Sequence, residues 1–316
     1  MSATVFIDGA AGTTGLEIRE RLAGRTDLTV TQLGEAERKD ARARAAALNA
    51  ADVVILCLPD EAAREAVGLI ENSRTRVIDA SSAHRVADGW VYGFAEMEPG
   101  QREKIAGAAR VSNPGCYPTG FLALVRPLVR AGIVPADFPL TVNAISGYSG
   151  GGRMMIEEFE KPYSPHFVKT VARTYGLTLA HKHVPEMQVH AGLSHPPVFA
   201  PSVGRFYRGM IVDVPLQLWA LPGKPSLVEI HRILENSYRD QTLVRVAGLQ
   251  EAAELKTLDA ELLSGKNTMT LYVFGNEAMQ QARLVAVLDN LGKGAGGAAV
   301  QNLNLMLGLP ETTGLL

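Results

Sequence analysis

The chain has two cysteines in 316 residues, and only Cys116 sits where its surroundings would make it reactive. It lies in Asn113-Pro114-Gly115-Cys116-Tyr117-Pro118-Thr119-Gly120, just ahead of an apolar stretch, 121–129, with helical character. Pro118 suits the first turn of a helix, which puts Cys116 at the helix N-terminus. There the helix dipole and backbone amides favour the thiolate over a thiol whose ordinary pKa is ~8.5. The same amides could hold an oxyanion forming on a substrate carbonyl. Cys57, inside the apolar run 53–58, reads instead as a small buried hydrophobe. A second constellation is Gly9, Gly12 and Gly15 in Gly9-Ala10-Ala11-Gly12-Thr13-Thr14-Gly15. Between a strand and a helix, such a glycine turn lets amides approach a pyrophosphate. A third is Ser146, Gly147, Ser149, Gly150 and Arg153, whose hydroxyls, pliable backbone and cation suit a phosphate or carboxylate.

The elements that must position these groups fall into two patterns. Residues 4–8 read as a buried strand that leads through the glycine turn into a helix with Leu16, Ile18 and Leu22 on its apolar face. Strands at 28–33, 53–58 and 76–79 alternate with helices at 41–49 and 60–71, the pattern of a doubly wound parallel sheet. From about residue 140 the strand-like runs 142–145, 209–214, 244–246, 269–274 and 284–288 predict an α+β unit with a mostly antiparallel sheet. A helix over 227–238 is announced by Ser226 and Glu229 at capping-box spacing. Residues 293–297 read as a flexible connector before an amphipathic segment, 298–307, that returns to the first domain. The expected organisation is a Rossmann-type dinucleotide-binding domain, 1–115 with 294–316, around an α+β catalytic and oligomerisation domain, 116–293.

Composition narrows the function classes. The chain is 47% hydrophobic and 20% charged, and 31 basic against 33 acidic side chains leave a net charge of −2. Such a balance gives no broad positive field for nucleic acid or an anionic membrane, so an anionic ligand must be met locally. The longest apolar run, 53–58, is too short to span a bilayer, and Met1-Ser2-Ala3-Thr4 leads into apolar residues without a basic leader. A cytoplasmic protein with reduced thiols, a small-molecule substrate and no metal is expected. After the second strand, Glu35 and Glu37 favour the ribose hydroxyl of NAD, whereas Arg38 and Lys39 favour the 2′-phosphate of NADP. NADP is preferred, with Arg38 and Lys39 as candidates.

With Asn113–Thr119 and the glycine turn, the runs Ser146-Gly147-Tyr148-Ser149-Gly150-Gly151-Gly152-Arg153 and His181-Lys182-His183-Val184-Pro185-Glu186-Met187 complete four motifs in order. Together they resemble the N-acetyl-gamma-glutamyl-phosphate reductase family of arginine biosynthesis, in its shorter-chain (type 2) subgroup. Asp79-Ala80-Ser81-Ser82-Ala83-His84-Arg85 and Gln301-Asn302-Leu303-Asn304 extend the similarity over essentially the whole chain. Gly151 stands where many relatives have Ala, and His84 where Phe is common. The resemblance implies an NADPH-dependent reductase of an acyl phosphate, built like aspartate-semialdehyde dehydrogenases and oligomeric, as a dimer or tetramer. It implies that Cys116 is the nucleophile, that His181 or His183 is the acid and base, and that Ala11, Thr13, Thr14 and Ser81 join the glycines around the cofactor. Strand-like alternation would put both histidines on one face and Lys182 on the other, with His183 slightly preferred. Arg153, Lys182, Arg110 and Arg85 are the candidate cations for substrate phosphate and carboxylate, alongside Ser146, Ser149 and Gly150. Competing readings are the same chemistry on aspartyl phosphate or another acyl phosphate, a thiol hydrolase, which leaves the glycine turn unexplained, and a non-catalytic NADPH sensor.

Overall fold

The computed structural model describes residues 2–38 and 40–316, which form two compact units. The first comprises residues up to Ala95, Gly100–Gly115 and Ala295–Leu316; the second comprises Glu96–Pro99 and Cys116–Gly294.

In the first unit, short apolar segments become strands, and two of the helices, Ala41–Ala50 and Asp60–Gly68, form from Ala-rich segments. The elements run β1 (Ala3–Asp8), α1 (Thr13–Leu22), β2 (Leu28–Thr31), α2 (Ala41–Ala50), β3 (Val53–Leu56), α3 (Asp60–Gly68), β4 (Arg76–Asp79), β5 (Val91–Tyr92), α4 (Gln101–Gly107) and β6 (Arg110–Ser112). Every pairing is parallel, in the order β2-β1-β3-β4-β6-β5. β3 is buried along its length, as expected of a parallel strand covered on both faces. Helix α2 begins at Asp40, whose carboxylate accepts the amides of Arg42 (2.8 Å) and Ala43 (3.0 Å). Phe6, Leu48, Val54, Leu56 and Val77 form a core between sheet and helices.

Two glycines of the first turn are there for packing. Gly9 has φ +86°, and a Cβ on it would overlap the Cys57 carbonyl oxygen. A Cβ on Gly15 would lie 2.6 Å from the Gly9 oxygen. Gly9→Ala is therefore expected to cost about 3 kcal/mol through φ strain and backbone overlap. A lowered urea midpoint with unchanged m-value checks this.

The second unit contains α5 (Cys116–Arg130), β7 (Thr141–Gly147), α6 (Gly152–Glu160), β8 (Ala172–Thr174), α7 (Val184–Ala191), β9 (Val198–Gly204), β10 (Met210–Gln217), α8 (Leu227–Tyr238), β11 (Val244–Val246), α9 (Leu249–Glu254), β12 (Met269–Asn276) and β13 (Gln281–Leu288). Its sheet order is β11-β12-β13-β10-β7-β9-β8. β11 with β12 and β7 with β9 are parallel; the other four pairings are antiparallel, so the sheet is mixed with an antiparallel majority. Helix α5 is buried from Tyr117 to Val125 and packs on β10 and β13. It approaches so closely that a Cβ on Gly120 would lie 2.8 Å from Val212 Cγ2. α8 starts as its capping box predicts, the Glu229 amide donating to Ser226 Oγ at 3.1 Å.

The last helix, α10 (Gly297–Met306), belongs to the first unit and packs on α1 and α4. The expected flexible connector at 293–297 is corrected: Lys293 is 1% exposed and its ammonium is bonded to Glu96. Among the described residues, no helix is long and apolar enough to cross a membrane.

Candidate active site

In the first unit, a cavity of about 500 Å³ opens where the carboxyl ends of β1 and β3 meet. β2 lies on one side of β1 and β3 on the other, which is the switch point at which open α/β sheets take their ligands. Asp8 to Gly12, Gln32, Leu33, and Cys57 to Pro59 line it, with Arg19, Glu35 and Arg38 at its charged edge. Gly12 caps α1, and a Cβ there would make only ordinary contacts, 3.5 Å from the Gly9 oxygen and 3.9 Å from the Cys57 oxygen. Gly12 is thus the glycine that leaves backbone bare for a ligand, and the cradle fits a dinucleotide pyrophosphate at a helix start. Ala11, Thr13 and Thr14 stand on the same turn.

The charges around this cavity are arranged unequally. Arg38 donates to Glu35 at 2.9 Å, whereas Arg19 is exposed with no carboxylate partner among the described residues. Arg19 escaped the sequence reading, yet it follows Gly12 by seven positions and Gly15 by four, a helical spacing that puts all three on one face. Lys39 lies outside the described residues. Ser81, at the end of β4, is buried and donates to Asp79 Oδ2 at 2.7 Å; the same oxygen is 2.6 Å from His84 Nδ1. Arg85 is equally committed, its Nε donating to the Asn113 carbonyl oxygen at 3.1 Å. Arg110 is exposed at the start of β6, with its guanidinium 5.9 Å from the centre of the Trp90 ring. Burial, with Asp79 and Asp8 nearby, pushes the Cys57 thiol up to about 12, so it stays protonated near neutrality.

In the second unit, Cys116 is the first residue of α5. His181 and His183 lie in a turn before α7, not on a strand, and Pro185 and Glu186 occupy the first turn of that helix. The two imidazoles still meet, with centroids 4.7 Å apart and tilted by 68°. The His183 amide donates to His181 Nδ1 at 3.1 Å, so that nitrogen carries no proton. Tyr117 lies 5.8 Å from His183, and Tyr175 5.8 Å from His181. The two phenols are joined by a 2.9 Å bond from Tyr175 to Tyr117, and Phe199 packs on Tyr117 and His181. Burial first, then Tyr175 and Cys116, push Tyr117 well above its ordinary value. Burial, opposed by the bond to Tyr117, leaves Tyr175 pushed up to about 12. Both remain neutral phenols at neutral pH. The sequence reading gave neither tyrosine a role.

Ser146 and Ser149 are buried, and Asn290 Nδ2 donates to Ser149 Oγ at 2.9 Å. A Cβ on Gly150 would lie 3.4 Å from both Asn290 Nδ2 and Ser146 Oγ, so these three expected residues do come together. Arg153 does not join them. Its side chain is 85% exposed on α6 and pairs with Glu157 at 3.1 Å. Lys182 is exposed between the two histidines.

Comparison with known proteins supplies the lineage. Residues 4–108 match the family model described as semialdehyde dehydrogenase, NAD binding domain, and residues 116–290 the one described as semialdehyde dehydrogenase, dimerisation domain. The chain is 57% identical over 309 residues to a protein of Brucella anthropi named N-acetyl-gamma-glutamyl-phosphate reductase, covering 98% of this chain and 99% of that one. A Brucella ovis protein of the same name is likewise 57% identical, with 98% and 100% coverage. Among solved structures, aspartate semialdehyde dehydrogenase II of Vibrio cholerae superposes with a TM-score of 0.72 at 15% identity, over 97% of this chain and 98% of that chain. The Francisella tularensis aspartate semialdehyde dehydrogenase gives 0.70 at 14%, over 96% and 100%; at such identities the likeness concerns the fold. The chain belongs to the semialdehyde dehydrogenase family and, within it, to the N-acetyl-gamma-glutamyl-phosphate reductases.

Proposed function

We propose that this chain uses NADPH to reduce N-acetyl-gamma-glutamyl phosphate to N-acetylglutamate semialdehyde and phosphate, in arginine biosynthesis, through a thioester on Cys116. The observation that carries the reading is Cys116 opening a buried helix in the unit that also gathers His181, His183 and two neutral tyrosines. Relatives that bear that reductase's name at 57% identity fix the substrate class.

In this scheme His183 takes the Cys116 proton, and the sulfur attacks the acyl carbon. The C–S bond forms as the bond to the phosphate oxygen breaks, and phosphate departs with the electron pair. Amide dipoles at the start of α5 hold the oxyanion. NADPH, held by the turn that Gly9, Gly12 and Gly15 shape, would supply the hydride that brings the acyl group to the aldehyde level. His183 protonates the carbonyl oxygen as charge gathers there, and removes that proton when the C–S bond breaks and Cys116 leaves as thiolate. His181, whose Nδ1 accepts the His183 amide, holds the turn that presents its neighbour. Ser146, Ser149 and Gly150 are assigned to the substrate's anionic groups ahead of Arg153 and Arg110, which face solvent. The working form is a cytoplasmic homo-oligomer, dimer or tetramer, assembled through the stretch matching the dimerisation model.

The decisive assay is the reverse reaction. Phosphate-dependent reduction of NADP with N-acetylglutamate semialdehyde, and not with aspartate semialdehyde, is expected; the opposite preference would overturn the substrate assignment.

Cofactor choice gives a further prediction. Because Glu35 already pairs with Arg38, Arg19 is the better partner for a 2′-phosphate. Arg19→Ala is expected to weaken NADPH binding by about 1.5–3 kcal/mol, roughly 10- to 100-fold in Kd, with little change for NADH. Arg38→Ala should do less. Fluorescence titration of both dinucleotides decides, and equal losses for the two would remove Arg19 from the 2′-phosphate.

A further inference from the structure

Buried ion pairs are costly unless geometry requires them, and the second unit contains one that the mechanism above does not use. Lys293 is 1% exposed and Glu96 is 4% exposed, and the ammonium is 2.7 Å from both carboxylate oxygens. Lys293 lies in the π-helical turn Gly292–Gly296 that follows β13, and the approach to that turn is fixed at several points. Asp289, fully buried, accepts the amides of Leu291 (2.8 Å) and Gly292 (3.1 Å) on Oδ1, and that of Gly265 on Oδ2. Asn290 reaches Ser149 and accepts the Gly209 amide at 2.8 Å. The next residue, Gly294, donates to the Asp289 carbonyl oxygen at 2.9 Å and lies directly on the cysteine. A Cβ there would be 2.8 Å from Cys116 Cβ and 3.3 Å from its Cα.

The charge pair therefore sits one residue from the backbone that touches Cys116. We propose that Glu96 and Lys293 are a positioning pair: by fixing the Lys293 ammonium they seat Gly294 against Cys116 and hold the sulfur in one attack geometry. The inference rests on Cys116 being the nucleophile. Both side chains are buried, so neither is assigned to the substrate. A displacement of about 1 Å at a reacting atom is enough to cost on the order of 10²-fold in rate.

The test separates positioning from stability. Glu96→Leu with Lys293→Met removes both charges and fills their space, so the melting temperature should return close to the parent's, whereas either single change leaves a buried charge and lowers it. For the double variant, kcat is expected to fall about 10²-fold with KM and the Kd for NADPH within a few-fold of the parent. Acylation of Cys116 by N-acetyl-gamma-glutamyl phosphate without NADPH, followed by mass spectrometry, should slow in proportion. A folded double variant that acylates at the parental rate overturns the positioning role alone; a parent that never acylates Cys116 overturns the nucleophile and the pair's role together. Should the double variant not fold, Lys293→Arg keeps the charge but shifts its contact, and an unchanged kcat in that variant overturns the proposal.

Discussion

Replacing Cys116 by Ser is expected to lower kcat at least about 10³-fold, because an alcohol at neutral pH is a far weaker nucleophile than a thiolate and the two steps of the scheme both break or make a bond to that atom. Binding of NADPH should stay within a few-fold of the parent, since every residue lining the dinucleotide cavity belongs to the first unit and Cys116 to the second. The same experiment on Cys57 should leave turnover close to normal. Its thiol, pushed up to about 12 chiefly by burial, is protonated throughout the neutral range and supplies no thiolate. Iodoacetamide at pH 7 is accordingly expected to label Cys116 and spare Cys57, with loss of activity tracking the label at 116. Full activity after stoichiometric labelling of Cys116, or retained turnover in Cys116→Ser, would end the covalent scheme.

How legible this site was in the sequence depends on how local each signal is. The start of α5, the cap of α8 and the strands β4 and β11 are readable because a proline, a serine–glutamate pair or a pair of β-branched residues decides them within a few positions. The His-Lys-His segment has the alternation of a strand, although Pro185 and Glu186 signal a helix start; its rings meet through a turn instead. Glycine was ambiguous twice. Gly12 opens a cavity while Gly9 and Gly15 only permit backbone approach, and Gly294, taken for a flexible linker, is needed because Cys116 leaves no room for a Cβ. Burial of Lys293 was not legible, because its partner is 197 residues away and a lysine beside glycines reads as solvated surface. Arg153 erred in the opposite direction: a cation in a serine–glycine stretch suggested an anion site, but the helix phase of α6 turns it to solvent beside Glu157.

His183→Asn is expected to lower kcat by about 10²- to 10⁴-fold, the range usual for loss of a positioned acid and base. Four titratable rings cluster beside Cys116's neighbour Tyr117, which is itself one of them, and three are unsuited to the role. Tyr117 and Tyr175 are held as neutral phenols, the first well above its ordinary value and the second up to about 12, so neither can serve as a base near neutrality. His181 accepts the His183 amide on Nδ1, and protonating that nitrogen would break the turn on which His183 sits. That leaves His183 as the imidazole assigned to proton transfer, and asparagine there keeps a polar side chain without a titratable nitrogen. His181→Asn should act differently, lowering the thermal midpoint and reducing kcat by less, because what it removes is the acceptor for one amide. The pH profile of kcat/KM separates the two: His183→Asn should lose the limb that reports an imidazole, while His181→Asn should keep it at reduced height. If the His183 variant kept that limb and the His181 variant lost it, the assignment of base and turn-holder would be reversed, and the proton would have to leave Cys116 through the more exposed ring.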